Sequence, residues 1–98
     1  YVDDLVEALL RAAVAPGAEG RIFNVGAGRP ARVIEVARLA RRLAGRGTLK
    51  PGALARRPGE AVRYAVRTGL ARKVLGWSPR VGLEEGLRRT LVSLGRAP

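Results

Sequence analysis

Four segments of this chain place apolar residues at helical spacing, and proline or glycine follows each of them. An apolar stripe with this period is typical of an amphipathic helix, so the pattern predicts four helices. Pro16, Gly45 and Gly76 end the first three, because proline cannot continue a helix and glycine readily adopts the left-handed cap conformation. The predicted helices cover residues 3–15, 31–44, 69–75 and 83–94.

The first predicted helix carries a stripe of mostly large aliphatic side chains. Asp3 and Asp4 stand at its start, where a carboxylate complements the partial positive charge of a helix N-terminus. A stripe of this kind is the face that a helix normally turns toward a protein core. Its members are Leu5, Val6, Leu9, Leu10 and Ala13.

A short run of β-branched and aromatic residues follows that helix. It comprises residues 21–25, which contain isoleucine, phenylalanine and valine and lie between Gly20 and Gly26. Such a run predicts a buried strand. Residues 48–50 and 62–66 are the other candidate strands. The predicted fold class is therefore α/β and helix-dominated, with few short strands and no complete doubly wound sheet. At 98 residues the chain is expected to form a single segment, 1–98.

The composition excludes several classes of protein. Without cysteine the chain has neither a disulfide framework nor a thiolate metal site. Its apolar runs are too short to span a bilayer and no signal peptide is visible, so we expect a cytoplasmic protein with no membrane partner. The chain contains no methionine and opens at Tyr1, which predicts that it is a piece of a longer product.

The formal net charge of +11 comes almost wholly from arginine, since lysine occurs only at Lys50 and Lys73. A basic excess is compatible with a solvated surface, a local phosphate site or a nucleic-acid-binding module. The arginines are scattered, and no zinc spacing, basic zipper or RNA-recognition aromatic pattern accompanies them. The sequence therefore disfavours nucleic acid as a partner.

Gly26-Ala27-Gly28 stands between the first predicted strand and the second predicted helix. A glycine-rich loop in this context can cradle a phosphate group. However, Ala31 replaces the third glycine of a dinucleotide fingerprint, and no acidic residue follows a second strand as a ribose partner would. A tight turn that needs positive φ is the favoured interpretation, and no cofactor-binding residue is predicted.

Two residues near the third predicted helix have structural interpretations. Trp77 is the only tryptophan, and we expect it to pack in the core and to join the third helix to the fourth. Thr68 directly precedes the third helix and is its expected N-cap.

Arg57 is the sharpest candidate for ligand chemistry. A guanidinium offers a planar fork of donors that can pair two phosphate oxygens at once, which lysine cannot do. Pro58 and Gly59 follow it directly and predict a turn that presents its side chain.

Several short motifs occur in a characteristic order along the chain. Together they resemble the C-terminal part of the NAD-dependent nucleotide-sugar epimerases and dehydratases, within the extended short-chain dehydrogenase/reductase family. The opening residues and the run from Phe23 to Gly28 resemble the same family. The motifs are Tyr1-Val2-Asp3-Asp4-Leu5, Arg57-Pro58-Gly59-Glu60, Arg63-Tyr64-Ala65, Leu75-Gly76-Trp77-Ser78-Pro79 and Leu83-Glu84-Glu85-Gly86-Leu87.

This resemblance implies a substrate-side segment that binds a nucleoside-diphosphate sugar. In the family, the arginine matched by Arg57 contacts the diphosphate, and the tyrosine matched by Tyr64 lines the substrate pocket. Glu60 stands where the family usually has aspartate or histidine, and it is the third candidate substrate-binding residue. Arg67 departs from the pattern, because an aspartate normally begins the next helix there.

The resemblance also shows which parts of an enzyme are missing. The chain lacks the glycine-rich cofactor loop and the Tyr-x-x-x-Lys pair of the family, and it has no histidine or cysteine. We therefore expect no catalytic, cofactor-binding or metal-binding residue here. NAD, the N-terminal Rossmann part and a possible homodimer belong to the full-length parent, an isomerase or a lyase. Two alternatives stay open: a non-catalytic interaction module or remnant, and a basic nucleic-acid-binding module.

Overall fold

Four α-helices form the regular secondary structure of the described residues, which are 1–60 and 65–96 of the computed structural model. Each observed helix begins and ends within two residues of its predicted bounds, so the helical periodicity of the sequence is confirmed. The helices are α1 (Val2–Val14), α2 (Val33–Ala44), α3 (Gly69–Leu75) and α4 (Leu83–Ser93).

The chain divides into two compact units. The first consists of Tyr1–Arg29 and Ala65–Leu83 and contains α1 and α3. The second contains residues 30–60 and 84–96, with α2 and nearly all of α4. Each unit is therefore assembled from two stretches that are distant in sequence.

The α/β prediction is wrong for the described part of the chain, where no β-strand forms. Residues 21–25 make one backbone–backbone hydrogen bond there, from the Arg21 N–H to the Ala18 carbonyl at 3.2 Å. A strand is stable only when a neighbour completes its ladder, and no described segment pairs with this one. Residues 48–50 are irregular for the same reason, and residues 62–64 of the third candidate strand lie outside the described residues.

The core of the first unit is small and is dominated by Trp77, whose side chain is 2% exposed. Its indole Nε1–H donates to the Asp4 carbonyl of α1 at 2.7 Å, so the buried polar atom of the ring is satisfied. Core packing of Trp77 is confirmed, but its hydrogen bond joins it to α1, whereas the sequence predicted that Trp77 joins the third helix to the fourth. The other buried members of this core are Ala8, Ala18, Ala71 and Leu75.

Asp4 is buried, with 6% of its surface exposed, and its carboxylate holds the backbone that follows Trp77. Oδ1 accepts the Arg80 N–H at 3.1 Å, and Oδ2 accepts the Val81 N–H at 3.0 Å. The Val81 hydrogen bond is the largest cause that lowers the pKa of Asp4 below its ordinary value of 3.8, while burial opposes it. The side chain is therefore an ionised structural anchor at neutral pH.

Arg11 makes a second tie between α1 and the end of α3. Its Nη1 donates to the carbonyls of Leu75 and Gly76 at 3.2 and 2.7 Å, and its other donors bind the Glu7 carboxylate. A cation at this place satisfies carbonyls that the helix leaves unpaired. Gly76 adopts a φ of +60°, as its predicted role as a helix stop requires.

The orientation of α1 differs from the prediction. Its buried residues are Asp4 and Ala8, whereas the aliphatic stripe predicted to face the core is exposed. The anchors at Asp4 and Arg11 account for this orientation, because both lie on the side of the helix that contacts the segment after α3. The exposed members of the stripe are Leu5, Val6, Leu9, Leu10 and Ala13.

The short α3 lacks the predicted side-chain cap, because Thr68 makes no capping hydrogen bond. The backbone of Thr68 is instead at φ −107° and ψ 12°, which is not the extended conformation typical of a capping residue. Tertiary anchoring at the other end of this helix, through Arg11, offsets the missing cap.

In the second unit, local capping sets the limits of the helices. Arg32 is the N-cap of α2 and has no hydroxyl that could cap the helix. The Glu35 carboxylate instead accepts the backbone N–H of Arg32 at 3.1 Å, which satisfies one donor at the start of α2. Gly45 ends α2 at a φ of +67°, as predicted. An exposed ion pair of 3.3 Å joins Arg42 of α2 to Glu84 of α4 and contributes little to stability.

We predict that Asp4→Asn lowers the free energy of unfolding by about 1–3 kcal/mol, because an amide nitrogen would face one of the two backbone donors. Asp3→Asn is the matched control, since it removes a neighbouring exposed carboxylate from the same first turn. Urea unfolding monitored by Trp77 fluorescence measures both. Equal losses in the two variants would contradict the anchoring role of Asp4.

The anchoring by Asp4 should also depend on pH. Because folding lowers the pKa of this carboxylate, its contribution is complete above 3.8 and is lost as the pH falls through the folded-state pKa. The difference in unfolding free energy between the wild-type chain and Asp4→Asn should therefore be constant near neutrality and shrink below pH 3.8. A difference that stays constant throughout acid titration would refute this assignment.

Candidate functional site

The predicted turn at Arg57 is present in the structure. The Glu60 N–H donates to the Arg57 carbonyl at 3.2 Å, and Gly59 has a φ of +79°. Proline followed by glycine with positive φ is the arrangement that a type II turn requires. The backbone of this segment is thus closed by its own residues.

Glu60 contributes to this turn with its side chain as well. Its Oε2 accepts a hydrogen bond from the backbone N–H of Arg57 at 3.4 Å. Its backbone carbonyl accepts a hydrogen bond from Nη2 of Arg56 at the same distance. These are long, exposed contacts and therefore weak ones. Glu60 thus helps to shape the turn, and its predicted contact with substrate stays a prediction.

The guanidinium of Arg57 projects from an exposed position. Among residues 1–60 and 65–96, no side chain or carbonyl hydrogen-bonds to it or forms an ion pair with it. No described residue therefore competes with a ligand for the donors of its planar fork. Tyr64, the other pocket residue predicted from the family, lies outside the described residues.

An open apolar groove of about 360 Å³ lies in the first unit. The N-terminal end of α1 forms one wall, and Trp77 with the segment after it forms another. Among the described residues that line it, the one charged side chain is Asp4, both of whose carboxylate oxygens already accept backbone hydrogen bonds. The groove can therefore bind apolar groups by contact but offers no free carboxylate oxygen.

The turn at Gly26-Ala27-Gly28 belongs to the same unit, and its first two residues line the groove. Gly28 has a φ of +73°, as the structural interpretation of this turn predicted. A Cβ at Gly26 would meet Val66 at an ordinary contact distance of 3.6 Å, so only Gly28 depends on its lack of a side chain.

Two further observations concern metal and membrane. The described residues contain no group of three or more carboxylates that could share a metal ion. No described helix has both the length and the apolarity that a bilayer crossing demands.

Sequence reasoning missed the anchoring role of Asp4. A carboxylate in the first turn of a helix already has a local explanation through the helix dipole, so nothing near it in sequence indicates a distant partner. The family motif that contains Asp4 was the available signal. It places two aspartates in succession, whereas one carboxylate is enough to complement the helix dipole. Arg11, which forms the other tie, carries no comparable signal.

Comparison with known proteins identifies similar sequences. The chain is 34% identical to a dTDP-glucose 4,6-dehydratase of Neisseria meningitidis and 35% identical to a UDP-glucose 4-epimerase of Mycolicibacterium smegmatis. A dTDP-glucose 4,6-dehydratase of Neisseria gonorrhoeae is 32% identical. No protein-family model and no solved structure matches the chain.

These matches cover most of this chain but only a small part of each relative. Each covers 93% of this chain but only 28 or 29% of the relative. The chain thus spans little more than a quarter of the length of the curated relatives that it matches. The resemblance found in the sequence motifs is confirmed: the chain is a distant homologue of a segment of the nucleotide-sugar dehydratases and epimerases.

Proposed function

We propose that this chain is the C-terminal, substrate-binding segment of an NAD-dependent nucleotide-sugar epimerase or dehydratase of the cytoplasm. In this proposal it binds a nucleoside-diphosphate sugar and does not catalyse a reaction alone. Arg57 pairs with the diphosphate, while Tyr64 and Glu60 contact the rest of the substrate. The acid–base residues and the cofactor site belong to the part of the relatives' length that this chain does not match.

The state of Arg57 is the observation that carries the proposal. A turn closed by Pro58, Gly59 and Glu60 holds its backbone, and no described residue occupies its guanidinium. A fork of donors held in this way can bind two diphosphate oxygens with little loss of backbone freedom.

The names of the relatives indicate which part of a substrate such a residue would recognise. One acts on dTDP-glucose and another on UDP-glucose, so their substrates differ in the nucleoside and share a diphosphate linked to glucose. A cation directed at the diphosphate suits both. Binding energy gained there, away from the sugar, also serves to orient the reacting ring.

The residues of this chain do not fit an NAD site. The turn at Gly26–Gly28 has Ala31 in place of the third glycine, and the acidic ribose partner is missing from the sequence. We therefore assign NAD to the part of the parent enzyme outside this segment.

The test uses a chimera in which this chain replaces the matching segment of the Neisseria meningitidis dehydratase. Arg57→Ala should weaken the binding of dTDP-glucose by about 10- to 100-fold, as expected for the loss of charge-assisted hydrogen bonds. Arg57→Lys should recover only part of this loss, because it restores the charge without the fork. Isothermal titration calorimetry measures the affinities.

Arg46→Ala is the matched control, because it removes an equal charge from another exposed site of the second unit. Its affinity should match that of the unmodified chimera. Equal affinity in the Arg57→Ala chimera, or no binding by the chimera at all, would refute the proposed role. Binding of duplex DNA by the chain with a steep salt dependence would favour the basic-module alternative instead.

A further inference from the structure

Three arginines gather at the C-terminal end of α2, in the second unit. Arg41 and Arg42 lie in the last turn of the helix, and Arg46 directly follows its C-cap, Gly45. These four residues line an open hollow of about 430 Å³, which we call the α2 hollow. Because no described lining residue is acidic, aromatic or large and apolar, the hollow is suited to an anion.

The loop after α2 holds the guanidinium of Arg41 in place. Its Nε donates to the backbone carbonyl of Gly47 at 2.9 Å, and Gly47 has a φ of +97°, a conformation that glycine adopts most readily. No described residue binds the terminal nitrogens of this guanidinium. Arg41 therefore loses less side-chain freedom than an unheld arginine when a ligand binds.

Arg42 and Arg46 are also open to a ligand. No described residue forms a hydrogen bond or an ion pair with the guanidinium of Arg46. Arg42 pairs with Glu84 of α4 at 3.3 Å, but the two side chains are 68 and 54% exposed, so water weakens this pair. An oligophosphate carries more charge than one carboxylate and can therefore displace Glu84.

The helix dipole explains only part of this cluster. A cation in the last turn complements the partial negative charge of a helix C-terminus, which accounts for Arg41 and Arg42. That effect falls off within the last turn, so it does not account for Arg46. The cations around the hollow also repel one another, and a bound anion with several charges removes this repulsion.

We propose that the α2 hollow binds a free oligophosphate, an anion of several linked phosphate groups. Each guanidinium pairs with two phosphate oxygens, so a cluster of them suits a chain of phosphates better than a single charge. A nucleoside attached to the phosphates is disfavoured, because the described lining offers its base no aromatic or large apolar side chain. The site uses none of the residues proposed to bind the nucleotide sugar.

The phosphate groups of membranes and nucleic acids suit the hollow less well. A helix that binds an anionic membrane carries large apolar side chains that enter the headgroup region, and the described lining has none. Single-stranded nucleic acid stacks its bases on aromatic side chains, and residues 30–60 and 84–96 contain no aromatic residue. A small free anion is therefore the favoured occupant.

Titration of the isolated chain with sodium tripolyphosphate in ~0.1 M salt tests the proposal, because distant surface charges are screened there. Arg46→Ala should weaken the affinity measured by calorimetry by about tenfold or more, as expected for lost charge-assisted hydrogen bonds. Arg38→Ala removes an equal charge from an exposed position of α2 outside the hollow, so it should change the affinity by less than about twofold. Equal losses in the two variants, or no binding by the unmodified chain, would overturn the proposal.

Substitution on α4 supplies a readout that a merely structural role would not move. Glu84→Gln removes the carboxylate that competes for Arg42, so the affinity for tripolyphosphate should rise by about 2- to 5-fold. Glu85→Gln is the matched control, because Glu85 pairs with Arg88 and Arg89 instead. An equal gain in both variants, or no gain in Glu84→Gln, would contradict the proposed site.

Further titrations separate this inference from its competitors. If duplex DNA or phosphatidylserine vesicles bind through Arg46 and tripolyphosphate does not, the hollow belongs to that partner and the proposal fails. Arg57→Ala should leave the affinity for tripolyphosphate unchanged, since Arg57 does not line the hollow. Tripolyphosphate binding in a chimera that does not bind dTDP-glucose would refute the proposed substrate role alone, and the opposite pattern would refute only the α2 hollow.

Discussion

The carboxylate of Asp4 accepts hydrogen bonds from the backbone of Arg80 and Val81, which lie 76 and 77 residues further along the chain. The same residue accepts the indole N–H of Trp77 through its carbonyl, so three contacts converge on one turn of α1. Most of the first unit depends on this convergence. Because one side of α1 is held by these polar contacts and by Arg11, its aliphatic side faces outward. The orientation of one helix thus follows from a buried anion, although aliphatic burial alone would favour the opposite orientation.

The sequence predicted those features whose causes are local. Helical periodicity located all four helices. Gly45 and Gly76 also located the ends of α2 and α3, because both glycines adopt the left-handed conformation that a helix stop requires. The turn at Arg57 was equally predictable, since proline followed by glycine determines its backbone. Among the features that depend on distant partners, the burial of Trp77 was predicted correctly, but its tie to α1 was not. Residues 21–25 have the composition of a strand and no described neighbour to pair with, and Asp4 has a local explanation that conceals its tertiary one.

The residues of the proposed diphosphate site and the exposed aliphatic face of α1 belong to different units. The second unit carries Arg57 on a turn closed by its own backbone, and the proposed diphosphate contact depends on that turn. The first unit carries the exposed aliphatic face of α1 and residues 21–25, which pair with no described segment.

The amide exchange rates of Arg80 and Val81, measured by NMR on the isolated chain near neutral pH, test the central claim most directly. These two amides lie outside any helix, and the carboxylate of Asp4 is their acceptor. We predict that both exchange at least about tenfold more slowly than unprotected amides. Exchange of both at the rate of unprotected amides would contradict the anchoring of α1 by Asp4 and, with it, the outward orientation of the aliphatic face.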